Sequence, residues 1–186
     1  MTIGFAMCGS FCTFSQVFPI MEAIAEKHTV IPIFSEVSYT TDSRFGNHEA
    51  HIALAEQICG QQVLHTIAQV EPIGPKKLLD ALIVAPCTGN TLAKLAHGIA
   101  DGPVTMAVKS HLRNGRPVLI AVSTNDALAG AGENIGKLLS RRHYYFVPFG
   151  QDSPESKPTS MVADFSQIPE ALEQALEGKQ IQPVII

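Results

Sequence analysis

Four short apolar runs, Ile3–Cys8, Thr29–Phe34, Ala81–Ala85 and Pro117–Val122, are separated by segments whose apolar residues recur at helical spacing. This alternation constrains the chain more than any other feature. Strands joined by helix-length crossovers pair in parallel, and a parallel sheet has to be covered on both faces. The expected fold class is therefore α/β: a doubly wound, mostly parallel sheet of flavodoxin/Rossmann-like type, with helices on both faces.

The intervening segments refine that expectation. Val17, Ile20, Met21 and Ile24 recur at i, i+3, i+4 and i+7 and predict a first helix, with Pro19 delaying or kinking its first turns. Pro32 lacks a ladder donor and points to an edge position for the second strand. Ser35 to about Gly46 is polar and turn-prone, which predicts a loop; a helix over Glu49–Ile58 and a short strand over Val63–Ile67 follow. Leu92, Leu95, Ala96 and Ile99 form another helical stripe. A further helix carries Val104, Ala107, Val108 and His111 and is stopped by Gly115. A helix around Ile135–Ser140, a short strand over Tyr144–Val147 and a last helix bearing Ile168, Leu172, Ala175 and Leu176, capped by Gly178, complete the pattern. Residues 150–160, with Pro154, Ser156, Lys157 and Pro158, read as a mobile loop or flap on a single domain spanning 1–186.

Composition removes several function classes. A formal net charge of -4 without any long Lys/Arg run argues against nucleic acid as the partner. No stretch reaches the roughly 18 uninterrupted apolar residues of a membrane span, and the amino end lacks signal-peptide features, so a cytoplasmic location is expected. Cys8, Cys12, Cys59 and Cys87 show no C-x-x-C pair and are expected as free thiols. His48 and His51, three apart on a helix, lack a third ligand and are expected as a solvated pair, with no metal.

In open α/β sheets ligands sit beyond the carboxyl ends of the strands. After the first strand come Gly9-Ser10-Phe11-Cys12-Thr13: a glycine for close backbone approach, two hydroxyls at Ser10 and Thr13, and a helix start. The segment suits one phosphate; it is not G-x-G-x-x-G, so a dinucleotide pyrophosphate is not indicated. Ser35 opens a hydroxyl-rich loop after the second strand. After the third, Thr88 is positioned to cap a helix while Gly89, Asn90 and Thr91 present amides and short polar groups. Each segment on its own is also compatible with a plain turn.

The run Pro86-Cys87-Thr88-Gly89-Asn90-Thr91, continuing through Lys94, His97, Gly98 and Asp101, resembles the Pro-Ala-Ser-Ala-Asn-Thr signature and following helix of the flavoprotein family. That family contains flavin-containing cysteine decarboxylases and flavin prenyltransferases. The likeness covers most of residues 1 to 140. It implies a flavin mononucleotide (FMN) cofactor, held by Gly9, Ser10, Thr13, Ser35, Thr88, Gly89, Asn90 and Thr91. It also implies a trimer-based homo-oligomer. A closer likeness within the family rests on Val122-Ser123-Thr124-Asn125-Asp126 and on Tyr145-Phe146-Val147-Pro148-Phe149-Gly150, followed by Lys157-Pro158. It implies one half of a two-subunit oxidoreductase that acts on a small dicarboxylate in a spore-forming bacterium, the other half binding NAD(P). Ser123, Asn125 and Lys157 are then the candidate substrate contacts.

Two departures bear on chemistry. Where the decarboxylases place a catalytic His before an Ile, this chain has Pro72-Ile73, and proline is neither acid nor base. Their Pro-x-Met-Asn substrate motif appears as Val122-Ser123-Thr124-Asn125, keeping the asparagine alone. Three functions stay open: an oxidoreductase subunit, a non-catalytic binding subunit for the nicotinamide-dependent chain, and a flavin-dependent decarboxylase, which Pro72 disfavours.

Overall fold

A computed structural model describes all 186 residues. In chain order the elements are β1 (Thr2–Met7), α1 (Phe14–Ala25), β2 (Thr29–Phe34), α2 (Glu36–Thr40), α3 (His48–Cys59), α4 (Ile67–Val70) and β3 (Ala81–Cys87). Then come α5 (Gly89–His97), α6 (Pro103–Leu112), β4 (Val118–Thr124), α7 (Gly132–Leu139), β5 (Tyr144–Phe146), β6 (Phe149–Gly150), β7 (Met161–Ala163) and α8 (Ile168–Leu176).

One seven-stranded sheet runs β2-β1-β3-β4-β7-β6, with β5 also paired to β4. The β1–β2, β1–β3, β3–β4 and β4–β5 pairs are parallel; β7 joins Ser123 and Thr124 of β4 antiparallel, and β6 joins β7 antiparallel. The fold is thus mixed α/β with a mostly parallel sheet. Every residue of β3 is buried, as a strand covered on both faces requires. Around it gathers one cluster of 49 buried hydrophobic residues. Because β2 and β3 flank β1 on opposite sides, strand order reverses between β1 and β3, and the crevice of such a sheet opens there.

Four local expectations change. Pro19 neither delays nor bounds α1, which starts at Phe14 and carries the proline inside. The buried face of Phe14, Val17, Phe18, Met21 and Ile24 holds the helix, and Pro19 faces solvent, where water can serve the carbonyl it leaves unpaired. The loop expected from Ser35 contains α2, because the Ser35 hydroxyl accepts from the Ser38 amide at 3.2 Å and caps it. Val63–Ile67 is not a strand: Leu64 makes a single bridge to Ile33, and Thr66 with Gln69 forms a capping box that opens α4. α6 ends at Leu112, three residues before Gly115.

Pro32 does lie on an edge strand, and the Leu64 amide donates to its carbonyl at 2.9 Å. At the opposite end of the sheet, the Ile186 amide donates to the Phe149 carbonyl, so the tail lies along β6. His111, fully buried on α6, has Nε2 at 3.1 Å from the Pro117 carbonyl and ties the end of that helix to the start of β4.

Candidate functional site

The crevice between β1 and β3 is a cleft of about 360 Å³. Its walls come from the turn after β1 (Cys8, Gly9), the start of α2 (Ser35, Glu36, Val37), the start of α5 (Thr88, Asn90, Thr91) and the start of α6 (Gly102 to Thr105). Three helix N-termini therefore border one space. First-turn amides have no partner within their own helix and carry partial positive charge, so the cleft is a place for an anion. The Gly9 amide also has no hydrogen-bond partner in the chain. A Cβ at Gly9 would stand 2.9 Å from Val37 Cγ1, so the close approach of the two loops needs the glycine.

The capping chemistry explains why these loops hold their shape. Thr88 accepts from the Thr91 amide, and the two hydroxyls lie 3.1 Å apart. Thr91 donates its hydroxyl to Cys8 Sγ at 3.3 Å and so joins the β1 and β3 turns. Ser38 spends its proton on the Met7 carbonyl, which makes Ser35 the donor in their 2.9 Å hydroxyl pair. A ligand that takes a proton from Ser35 must break that pair.

Five of the eight residues expected to hold a cofactor line the cleft: Gly9, Ser35, Thr88, Asn90 and Thr91. The other three stand behind it. Gly89 packs against the turn after β4, where an added Cβ would come within 2.7 Å of Thr124 Oγ1 and 2.8 Å of Asp126 Oδ1. Thr13 is buried, and its hydroxyl donates to the Ser10 carbonyl. Ser10 pairs its hydroxyl with that of Ser123 at 2.8 Å, linking the end of β1 to the end of β4.

The expected substrate contacts are spread out. Ser123 is buried behind Ser10; Asn125 is exposed, with its carbonyl accepting from Thr159; Lys157 is exposed and paired with Asp152 at 3.0 Å. The Thr159–Asn125 and Leu128–Thr159 hydrogen bonds dock the 150–160 segment on the turn after β4. Pro72, in a 3-10 turn before β3, is not part of the cleft.

Sequence reasoning gave no role to Glu36, Val37, Lys94, Asp101 or the start of α6. Gly102-Pro103 carried the signal for the last, since Pro favours the first position of a helix. Lys94 is the one cation of the cleft and pairs with Asp101 at 2.9 Å, and that bond holds the Asp101 carboxyl below its usual range. Burial pushes the Cys8 thiol up to about 11, against the pull of Thr91, so it stays protonated and unreactive at neutral pH. All four cysteines are free. His48 and His51 are not a solvated pair: His48 bonds Asp42 at 2.6 Å, whereas His51 is buried edge-on to Phe14 with ring centroids 5.0 Å apart.

The Flavoprotein family profile matches residues 1–150. A dipicolinate synthase subunit of Bacillus subtilis (strain 168) is 42% identical over 185 residues, covering 99% of this chain and 92% of that one. The crystal structure of the corresponding dipicolinate synthase subunit from Bacillus halodurans C superposes with a TM-score of 0.91 at 43% identity, covering 100% of this chain and 95% of the other. An FMN-dependent cysteine decarboxylase, SpaF, reaches a TM-score of 0.69 at 22% identity over 94% of this chain and 97% of its own, a likeness of fold. On a profile spanning most of its length and a relative matched almost end to end, this chain belongs to the flavoprotein family.

Proposed function

We propose that this chain is the flavin-binding half of a two-subunit dipicolinate synthase, working with a second dipicolinate synthase chain that binds NAD(P). The reaction is oxidation of a dihydrodipicolinate-type precursor to pyridine-2,6-dicarboxylate in a sporulating cell. The observation that carries the reading is the cleft between β1 and β3, where three helix starts and the unpartnered Gly9 amide line one space. The donor set fits a phosphomonoester and a polyhydroxyl chain: amides at Gly9 and the first turns of α2, α5 and α6, hydroxyls at Ser35, Thr88 and Thr91, and one ammonium at Lys94. Only three hydrophobic residues line it, so it favours the phosphate end of FMN over the ring.

A bound flavin supplies a two-electron acceptor for the hydride that a dihydropyridine ring gives up on becoming aromatic. The chain's own residues bind and orient. Lys94, now paired with Asp101, and Ser35, now paired with Ser38, would hold the phosphate, with Thr88 keeping the α5 start in register. Asn125, exposed just after β4, offers a polar contact to the substrate's carboxylates, while buried Ser123 holds the Ser10 turn through their shared hydroxyl bond. Pro72 favours a second reading, in which this chain stabilises the NAD(P)-binding chain without chemistry of its own.

Visible absorbance of the purified chain, with and without added FMN, tests the cofactor. A flavin spectrum that Ser35→Asp abolishes is expected; a chain that stays colourless and does not bind added FMN overturns the assignment. Assaying each of the two chains alone and then together, with precursor and nicotinamide cofactor, tests the role. If Ser10→Asp and Asn125→Ala leave the activity of the pair untouched, this chain contributes no chemistry.

A further inference from the structure

A larger cavity, of about 560 Å³, runs along α6 from Thr105 to Arg113, beside the end of α5. Leu95, Ile99, Val108, Leu112 and the ring of Tyr144 give it an apolar lining. Lys109, Arg113, Arg141 and Arg142, all exposed, surround it together with His143. No Asp or Glu lines it. The chain has 17 acidic and 13 basic residues, and four of those bases meet here, so the local field opposes the net charge.

The bland explanation is that these cations serve the carbonyl ends of two helices. It accounts for Arg141, whose guanidinium donates to the Leu95 and Ala96 carbonyls at 3.1 and 2.7 Å. It does not account for the others. Lys109 in the last turn of α6 and Arg113 at its C-cap stand four apart, a spacing at which like charges repel, and neither has a carboxylate partner; Arg142 has none either. His143 lies beside them in the turn before β5, at φ 69°. Tyr144 is 9% exposed, and burial pushes its phenol up to about 12, so it remains a donor at every physiological pH.

We infer that this cavity is a second binding site, for a flat aromatic ligand carrying at least two negative charges. The apolar lining takes the ring, and the cations around it take the charges, with Arg141 pre-oriented by its two carbonyl bonds. Two sources share that chemistry, an aromatic dicarboxylate and a nucleotide phosphate. Thr105 lines both this cavity and the cleft between β1 and β3, so an occupant would rest against the wall of the first site.

Isothermal titration calorimetry at low salt tests the inference, with pyridine-2,6-dicarboxylate, ADP and FMN as probes. They are titrated into the wild-type chain, the Lys109→Gln/Arg113→Gln double variant and Ser35→Asp. The altered cationic residues are exposed, and far-UV circular dichroism checks that each variant is folded. Binding of the dicarboxylate or ADP to the wild-type chain is expected, weakened about tenfold or more in the double variant and unchanged in Ser35→Asp. Which of the two binds identifies the source. FMN should show the reverse pattern; if FMN alone binds and is lost only in the double variant, the flavin belongs in this cavity and the second site is overturned. Equal affinity of the dicarboxylate or ADP for wild type and double variant, or no binding of either to wild type, also overturns it. So does a change of oligomeric state in the double variant without any ligand effect, since the cavity would then be an interface between copies.

Discussion

His111 gives a test of the structure that can be worked in numbers. Its ring is fully buried, Nε2 donates to the Pro117 carbonyl, and buried Nδ1 has no partner. Burial is the main force lowering its pKa from 6.5 to about 4; the Pro117 carbonyl opposes it, Arg116 adds to it, and Asp80 again opposes it. The folded chain therefore holds this histidine neutral, while the unfolded chain takes up a proton below about pH 6.5. Above that pH neither state is charged and the group has no pH effect. As pH falls toward 4 the unfolded state gains protons that the folded state refuses, and stability drops; below 4 both states are charged and the loss levels off. A gap of about 2.5 units at 1.36 kcal/mol each corresponds to about 3 kcal/mol.

The perturbation is His111→Gln, which keeps a donor for the Pro117 carbonyl and cannot titrate. Urea unfolding at fixed ionic strength, followed by circular dichroism from pH 7.5 to 4, gives the stability of both proteins. His51, whose pKa burial also lowers, is present in each and cancels in the difference. The wild-type chain should lose about 3 kcal/mol more than the variant across the window. Parallel curves would refute a neutral, buried His111 and the docking of α6 on β4 that depends on it.

Thr88→Ala removes the cap of α5 and should destabilise the fold by about 1 kcal/mol in the same urea assay, with weaker flavin binding. Gly89→Val forces a side chain against Thr124 and Asp126; overpacking of this kind costs about 1–3 kcal/mol, and crystallography of the variant should show the α5 start and the turn after β4 moved apart. Asp101→Asn frees Lys94 from an exposed ion pair; the unfolding midpoint should stay where it is while flavin affinity rises, and a fall in affinity would mean that Lys94 needs Asp101 to hold its position.

Much of the fold was legible because the strands are continuous apolar runs bounded by polar turns, and β1, β2, β3 and β4 all appear within two residues of where periodicity put them. What the pattern missed was set by capping and by the core. Whether Ser35 begins a loop or a helix depends on Ser38 reaching the Met7 carbonyl, 31 residues back in the chain. Pro19 sits inside α1 because five buried neighbours outweigh one missing bond. His51 left solvent because Phe14 and Phe18, on another helix, wait for it. The candidate site was legible in the same partial way. The turns after β1, β2 and β3 announce themselves by composition, whereas Lys94, Asp101 and the start of α6 enter the cleft only when the α5–α6 connection folds back to it. Which of the eight expected residues face the space and which support it from behind is a matter of rotamers and turn geometry that no spacing encodes.

The hydroxyl pair of Ser10 and Ser123 makes the two turns report on one another. Each hydroxyl owns one proton, and a 2.8 Å contact uses one of the two. An acceptor bound beside Ser10 draws its proton outward and obliges Ser123 to donate inward, leaving only lone pairs on the β4 side. A donor bound beside Ser123 favours that same orientation, and an acceptor there opposes it. Whatever occupies the end of β1 thus selects the polarity of ligand welcomed at the end of β4, and by reciprocity the second ligand biases the first to the same degree.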